Sequence, residues 1–477
     1  MKLNDIIKND LNLDIEITDL TDDSRTKMES GIFFASKGLT VDGHNYISGA
    51  VKNGAKVVVC ERKVEEDVPQ IVVPSSNIAF NEALNNFHNR PLDKLKLIGV
   101  TGTDGKTTTT EILYQLLNYF DKCGYIGTNG VKCPLFRGEN SLTTPLPKEL
   151  FADFHEFASR DCNYVSMEVS SERLYTERLE GIDFEVSIFT NLTNDHLDTH
   201  KTMENYAAAK AKLFNVTKGV SIINADDKYC EYFSKQSAAP VKTFGIDNKA
   251  DIYADNIKIE ETHLEFDIHG YLGDHHIETN ISGKFNVYNI MSAIVVLDYY
   301  GYEIDKIIEA VSELKPIDAR QMVVDQGQDF RVWIDYAHTP AAVKILIDFA
   351  REFTEERIIV VTGAAGSRDP YRSIQTAIVC VENADYNIFT IEDSRGEDPE
   401  VVINRMVEGL TATNFETEIN REKAIIKALE MARTSDTILI LGKGLESFEK
   451  VNGKLVAKKN DFEIADEYLL SLKNRKN

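Results

Sequence analysis

The residues of clearest chemical promise lie between positions 95 and 120. Leu95–Val100 is a short apolar run. Thr101-Gly102-Thr103-Asp104-Gly105-Lys106-Thr107-Thr108 follows it, and then a helical pattern of Glu111, Ile112, Leu113, Leu116 and Leu117. A strand, a glycine-rich turn ending in Gly-Lys-Thr and a helix together form a phosphate cradle. Glycines admit backbone amides to the phosphates, and the helix N-terminus adds partial positive charge. Lys106 is placed to reach the β/γ-phosphates, and the Thr107 hydroxyl to hold Mg²⁺. In the general pattern G-x-x-x-x-G-K-[ST] the first glycine would fall at 100, where this chain has Val100. The loop is therefore a variant that tightens at Gly102. Residues Gly102, Thr103, Asp104, Gly105, Lys106, Thr107 and Thr108 are the expected nucleotide contacts.

Three further groups can serve phosphate chemistry. Glu168 follows the strand-like run Tyr164-Val165-Ser166-Met167. A carboxylate at a strand's C-terminal end near a phosphate loop can hold Mg²⁺; the plainer role for it is to cap the next helix. Asp195-His196 offers a further metal ligand or phosphate contact. Lys210 lies on a helical pattern with Tyr206, Leu213 and Phe214, and by residue type alone it reads as a surface lysine.

The elements that must carry these groups alternate along the chain. Near-continuous Val/Ile runs occur at 56–60, 95–100, 186–190, 219–224, 332–335, 358–362 and 437–441, separated by helical stretches. Such runs suit strands buried on both faces, hence an α/β fold with mainly parallel sheets and helices outside. Helical patterns end on proline near Pro91 and Pro316, and a strand follows each. These breaks predict three domains, 1–93, 94–316 and 317–477, in keeping with the chain length. The first is a smaller α/β domain, the second a P-loop mononucleotide-binding domain on a parallel or mixed sheet, and the third Rossmann-like. The alternating segment 248–278 reads as an antiparallel ribbon hung on the central domain.

The 477 residues carry 53 Lys and Arg against 77 Asp and Glu, a net charge of −24. A surface this acidic argues against nucleic acid and anionic lipid as partners. It leaves room for a phosphorylated small molecule bound in a local basic cleft. No apolar run approaches membrane-spanning length, and the first residues lack a signal-peptide pattern, so a cytoplasmic location is expected. The six scattered cysteines, with no CxxC pair, fit buried thiols in a reducing compartment.

Seven motifs in series resemble those of the Mur ligase family, ATP-dependent amide-forming enzymes of peptidoglycan precursor synthesis. They are Thr101–Thr107, Glu168-Val169-Ser170-Ser171, Thr190–Asp198, Tyr206–Lys210 with Leu213-Phe214, Asn224–Asp227, Phe285–Asn289, and Asp335–Pro340. The opening segment (Asp23-Ser24-Arg25, Phe33-Phe34-Ala35, Asp42-Gly43-His44) resembles the nucleotide-sugar domain of the branch that adds the third peptide residue. Folylpolyglutamate synthases, a related class, lack that domain; a non-catalytic nucleotide-binding relative would not need Lys106, Glu168, His196 and Lys210 together.

The resemblance implies ligation through an acyl phosphate with two Mg²⁺ ions, and catalytic roles for Lys106, Glu168, His196 and Lys210. It implies that Lys210 carries a CO₂-derived carbamate and, with Thr107, Glu168 and His196, binds metal. Asn289, Arg320 and Asp335 become further ATP contacts. Ser24, Thr143, Thr144, Ser170 and Arg178 become contacts to a UDP-muramoyl dipeptide. Arg368, Asp393, Arg395, Gly442 and Glu446 become contacts to an incoming diamino acid, in a protein expected to be a monomer. The chain departs from the family around Arg320, at Thr176 and Glu172, and in Glu392-Asp393-Ser394-Arg395. Retained Arg395 favours meso-diaminopimelate. The added charge of Asp393, expected to neutralise Arg395, tilts the choice slightly to L-lysine.

Overall fold

A computed structural model of the chain describes all residues except 12, 39–40, 140–141, 453 and 477, and the side chains of all but 475 and 476 among the rest. Its strands form three principal sheets, in chain order. The first holds β1 (Asp19–Thr21), β2 (Gly31–Phe34), β3 (Ala55–Cys60) and β4 (Gln70–Val72), all parallel and in that order. Val, Ile and Phe fill its centre, where β2 is buried throughout, while Lys56 of β3 and Val72 of β4 are exposed.

The second sheet is built on β5 (Lys96–Thr101), β6 (Cys123–Gly127), β7 (Gly130–Cys133), β8 (Phe136–Gly138), β9 (Tyr164–Glu168), β10 (Phe184–Phe189), β11 (Thr217–Asn224), β12 (Val241–Gly245), β13 (Ile252–Ile259), β14 (Leu264–Gly270) and β15 (His275–Thr279). Among the described residues its order is β15-β14-β13-β12-β11-β10-β5-β9-β6-β7-β8. The centre is parallel, and antiparallel strands finish both edges. The segment expected to hang on the central domain is thus part of its sheet, because β13 pairs in parallel with β12 before the hairpins begin.

The third sheet holds β16 (Met322–Val323), β17 (Arg331–Asp335), β18 (Ile358–Ala365), β19 (Tyr386–Asp393), β20 (Phe415–Thr417) and β21 (Thr437–Leu441) in the order β16-β17-β21-β18-β19-β20. All its pairs are parallel except β16 with β17. A small hairpin of β22 (Phe448–Val451) and β23 (Lys454–Ala457) follows.

Two features of topology place the chemistry. β5 lies between β9 and β10, so the chain crosses over it, and the turn at its carboxyl end opens at a switch point. In the third sheet the carboxyl ends of β17, β18, β19 and β21 bring Asp335, Ala365, Asp393 and Leu441 to one edge. The helix after the loop, Lys106–Phe120, buries Ile112, Leu113, Leu116 and Leu117 against helix Lys284–Tyr299. Each such side chain contributes about 1.5–3 kcal/mol when fully buried. Five of the six cysteines are buried and Cys230 is partly so; none is disulfide-bonded. Among the described residues no helix is long and apolar enough to cross a membrane.

Candidate active site

One cleft of about 1000 Å³ runs between the carboxyl ends of the second and third sheets. Its floor is the loop Gly102–Thr108. Gly102 is required by close approach: a Cβ there would meet the Thr190 hydroxyl oxygen at 1.9 Å. Gly105 has φ +81°, and a Cβ on it would press to 3.0 Å from Asn289 Oδ1. Thr190 Oγ1 and Asn191 Nδ2 donate to the Asp104 carbonyl at 2.7 and 3.1 Å, so the β10 end clamps the loop. Thr339 Oγ1 donates to the Asp104 carboxylate at 3.1 Å and joins the loop to the C-terminal sheet.

The two lysines singled out in the sequence meet at one atom. Lys106 Nζ donates to the Gly102 carbonyl at 3.0 Å and to that of Thr103 at 2.7 Å. Lys210 Nζ donates to the same Gly102 carbonyl at 2.7 Å. Lys210 is 1% exposed. Burial, with Lys106 beside it, pushes its pKa well below the ordinary lysine range. It is not a surface lysine: the helix Met203–Asn215 buries Tyr206, Lys210, Leu213 and Phe214 on one face.

Glu168 is not a cap. Ser170 caps the following short helix by accepting from the Arg173 amide, which leaves the Glu168 carboxylate facing the cleft. Its Oε1 accepts from the Thr128 amide at 2.7 Å. Thr144 Oγ1 donates to the Glu168 carbonyl at 2.8 Å and accepts from the Ser170 amide at 3.0 Å, so Thr143, Thr144, Ser170 and Glu168 form one wall. His196 Nε2 lies 3.2 Å from Asp195 Oδ2. Burial holds the His196 ring below the usual imidazole range. Among the described residues no three His, Cys, Asp or Glu side chains converge on one point. A cation here would share Thr107, Glu168 and His196 with phosphate oxygens, which suits Mg²⁺ rather than a protein-caged metal. Thr193 Oγ1, buried on the cleft wall, has no hydrogen-bond partner among the described residues.

The remaining nucleotide candidates are near but already engaged. Asn289 Oδ1 accepts from Thr109 Oγ1, and its amide donates to Asn286. Asp335 accepts from the amides of Gln321 and Ala337, and burial raises its pKa. Arg320 lies over the Tyr336 ring and lines the cleft. Its neighbours Ala319 and Gln321 both have positive φ, +58° and +44°, a strained turn at the junction of the second and third sheets. Ser24 and Arg178 do not line the cleft. Arg178 is ion-paired with Asp22, two residues from Ser24, on the side of the first sheet.

At the far end stand Arg368, Asp393, Arg395, Gly442 and Glu446. Gly442 has φ +109°, and a Cβ on it would strike Glu392 Oε1 at 2.3 Å. Glu446 accepts from the Tyr336 hydroxyl at 2.5 Å and from Lys443 Nζ at 3.1 Å. Asp393 forms the expected ion pair with Arg395, but not with Arg395 alone. It accepts from Lys443 Nζ at 3.1 Å and from the Lys450 amide at 3.0 Å, while Arg395 Nη2 lies 3.7 Å away. Arg395 Nε is buried and has no hydrogen-bond partner among the described residues. Arg372, Lys443 and Lys450 also line this end and were not anticipated. Arg372 Nη1 lies 3.7 Å from Asp195 across the cleft. Only its position four residues after Arg368 offered a signal, as did the glycines either side of Lys443.

Comparison with known proteins agrees with this geometry. Residues 16–92 match the family model described as Mur ligase family, catalytic domain; residues 100–297 match Mur ligase middle domain; residues 319–444 match Mur ligase, glutamate ligase domain. A UDP-N-acetylmuramoyl-L-alanyl-D-glutamate–2,6-diaminopimelate ligase of Bacillus licheniformis is 36% identical over 96% of both chains. The L-lysine ligase of the same acceptor from Staphylococcus haemolyticus is 34% identical over 93% of this chain and 91% of its own. A solved structure of a 2,6-diaminopimelate ligase superposes with a TM-score of 0.69 at 25% identity over 99% of each chain. With its phosphate loop, paired lysines and two-sheet cleft, the chain belongs to the Mur ligase family of ATP-dependent ligases.

Proposed function

We propose that this ligase joins a diamino acid, meso-diaminopimelate, to the glutamyl carboxylate of UDP-N-acetylmuramoyl-L-alanyl-D-glutamate. Residues 1–93 would hold the UDP end, 94–316 the ATP, and 317–477 the incoming amino acid. The observation that carries the amino acid is the charge of the far end of the cleft. Five cations (Arg368, Arg372, Arg395, Lys443, Lys450) face three acids (Glu392, Asp393, Glu446) there, and burial raises the pKa of Glu392. L-Lysine brings one carboxylate and meso-diaminopimelate two. A cationic excess with an Arg395 Nε that has no hydrogen-bond partner among the described residues favours the second carboxylate.

The chemistry needs two anions, the γ-phosphate and the substrate carboxylate, brought together. Lys106 screens the phosphate from the loop floor. Thr107, Glu168 and His196 fit one or two Mg²⁺ ions, which would neutralise phosphate charge when bound. Lys210 fits a carbamate: CO₂ is attacked by a neutral amine, and burial beside Lys106 lowers the pKa of this one and so favours its neutral form. Arg320 would contact phosphate, and Asn289 and Asp335 the adenosine. Thr143, Thr144 and Ser170 would position the dipeptide, with Ser24 and Arg178 at its nucleotide end. The carboxylate attacks the γ-phosphorus and ADP leaves. The diamino acid's amine then attacks the acyl phosphate, and inorganic phosphate leaves as the amide forms. Positioning and fixed charge supply the rate. The protein would act as a monomer in the cytoplasm. Purified enzyme with ATP, Mg²⁺ and the UDP-dipeptide, offered meso-diaminopimelate and L-lysine separately, tests the reading: ADP release and a new amide only with the first supports it, and only with the second reverses the amino acid.

A further inference from the structure

Asn129 sits in the turn between β6 and β7, outside the motifs and away from the cleft lining. Its side-chain Nδ2 donates to two acceptors, Glu111 Oε1 and the Asp318 carbonyl, each at 3.1 Å. Glu111 lies on helix Lys106–Phe120, which starts at the phosphate loop, and Lys132 Nζ donates to the same Glu111 oxygen at 2.7 Å. Asp318 lies on the link from helix Ile304–Ser312 to β16, where the chain passes from the second sheet to the third. Four residues along the same helix, Gln115 grips that link as well. Its Nε2 donates to the Lys315 carbonyl at 3.1 Å, and its Oε1 accepts from the Lys315 amide at 2.9 Å. At Ala319 the partners change. The Ala319 carbonyl accepts from the Tyr336 amide at 3.1 Å, and the Gln321 amide donates to Asp335 Oδ2 at 2.8 Å. Hydrogen bonds thus tie Lys315 and Asp318 to the second sheet and Ala319 and Gln321 to the third, with Arg320 just past the changeover.

The same turn also holds Glu168. The Thr128 amide donates to Glu168 Oε1 at 2.7 Å. The Tyr125 hydroxyl accepts from the Asn129 amide and donates to Glu168 Oε1, both at 3.4 Å. Two consecutive residues therefore hold the cleft carboxylate on one side and the start of the Arg320 turn on the other. Resting on the function proposed above, we infer that Asn129 is a positioning residue of the ligase: it fixes the carbonyl from which the Arg320 turn departs, and so sets where Arg320 stands relative to the phosphate site beside Glu168. Both partners of its amide are acceptors, a carboxylate held by Lys132 and a carbonyl, so the position calls for a side chain with two donor hydrogens. An aspartate of the same shape has none when ionised, and faces Glu111 with like charge. The turn it anchors has positive φ at Ala319 and Gln321, a conformation that persists only where its surroundings hold it. Without the Asp318 anchor the turn relaxes and the guanidinium shifts. A small misplacement of a group that meets the transferring phosphoryl slows the chemical step.

Steady-state kinetics of Asn129→Asp and Asn129→Ala, paired with amide hydrogen exchange, test this. Asn129→Asp is expected to lower kcat about tenfold and Asn129→Ala about threefold, with KM for the diamino acid within about twofold of wild type. Hydrogen exchange reads the anchor without turnover: amides between 318 and 322 should exchange faster in both variants, while those of β5 and β17 keep their protection. Should Asn129→Asp fail to fold, Asn129→Ala, which brings no charge to Glu111, carries the same comparison. An unchanged kcat in the folded variants overturns the assignment of Asn129 and leaves the ligase reading standing. So does a lower kcat with unchanged exchange at 318–322, because the effect then does not pass through the turn. Faster exchange throughout both sheets, with KM for every substrate rising together, makes Asn129 a structural residue and the inference wrong. If the wild type forms no amide, the ligase reading itself fails and this inference falls with it.

Discussion

At the scale of single residues, the sharing of the Gly102 carbonyl by Lys106 and Lys210 makes the strongest predictions. Lys106→Ala removes the cation on the phosphate, and ligation should fall by at least a hundredfold, about 3 kcal/mol, with the melting temperature little changed. Lys210→Ala should be nearly inactive and partly restored by small carboxylic acids, which can occupy the place of carbamate oxygens; steady-state assays with and without acetate or formate check this. Arg395→Ala should lower kcat/KM for meso-diaminopimelate about ten- to a hundredfold and change any L-lysine use little, as comparison of the two substrates would show. Much at this scale was legible in the sequence. The loop was, because strand, glycines, lysine and helix are contiguous and each constrains the next. The burial of Lys210 was not, since it depends on the Gly102 turn more than a hundred positions earlier. The sharing of Asp393 was not legible for a similar reason: Lys443 and the Lys450 amide, about fifty residues on, bind it alongside Arg395. Arg372 and Lys450 were invisible as single charged residues outside any motif.

Among elements, the turns and short helices at strand ends set the precision of the site. Gly102→Ala has nowhere to put its Cβ except into the Thr190 hydroxyl, so the loop must shift away from β10. ADP affinity is expected to drop at least tenfold by equilibrium binding, while distant sites stay folded. The helix Pro147–Ser159, which packs on helix Ser76–Phe87 of the first sheet, contains a separate liability. Burial, with Glu149 and Glu156 nearby, raises the pKa of Asp153 to about 7. The folded state therefore holds this proton across a range where the unfolded chain, near 3.8, has released it. Stability from this group is greatest below pH 3.8 and is lost as pH rises toward 7. Asp153→Asn should raise the melting temperature at pH 8 by about 2 °C and leave it nearly unchanged at pH 4, as paired thermal melts would show. The parallel strands were readable from their Val/Ile runs. The edge hairpins β7–β8 and β22–β23 were not, for their short mixed sequences have no period of their own and are shaped by the sheets they border.

At the scale of the whole molecule, the second and third sheets together enclose the cleft. Thr339 on Asp104 and Arg372 against Asp195 tie the phosphate loop to the third sheet, and the strained Ala319–Gln321 turn lies at their junction. The three-part layout was legible because proline breaks fall between complete strand–helix patterns. The cleft itself was not, since no local sequence records which strand ends face each other. The most direct test of the central claim is mass spectrometry of the products formed by purified enzyme with ATP, Mg²⁺, the UDP-muramoyl dipeptide and an equimolar panel of amino acids. The expected products are ADP, phosphate and one new nucleotide whose mass is that of the acceptor joined to diaminopimelate with loss of water. ADP formation that does not depend on the dipeptide, or no amide product with any amino acid, would contradict it.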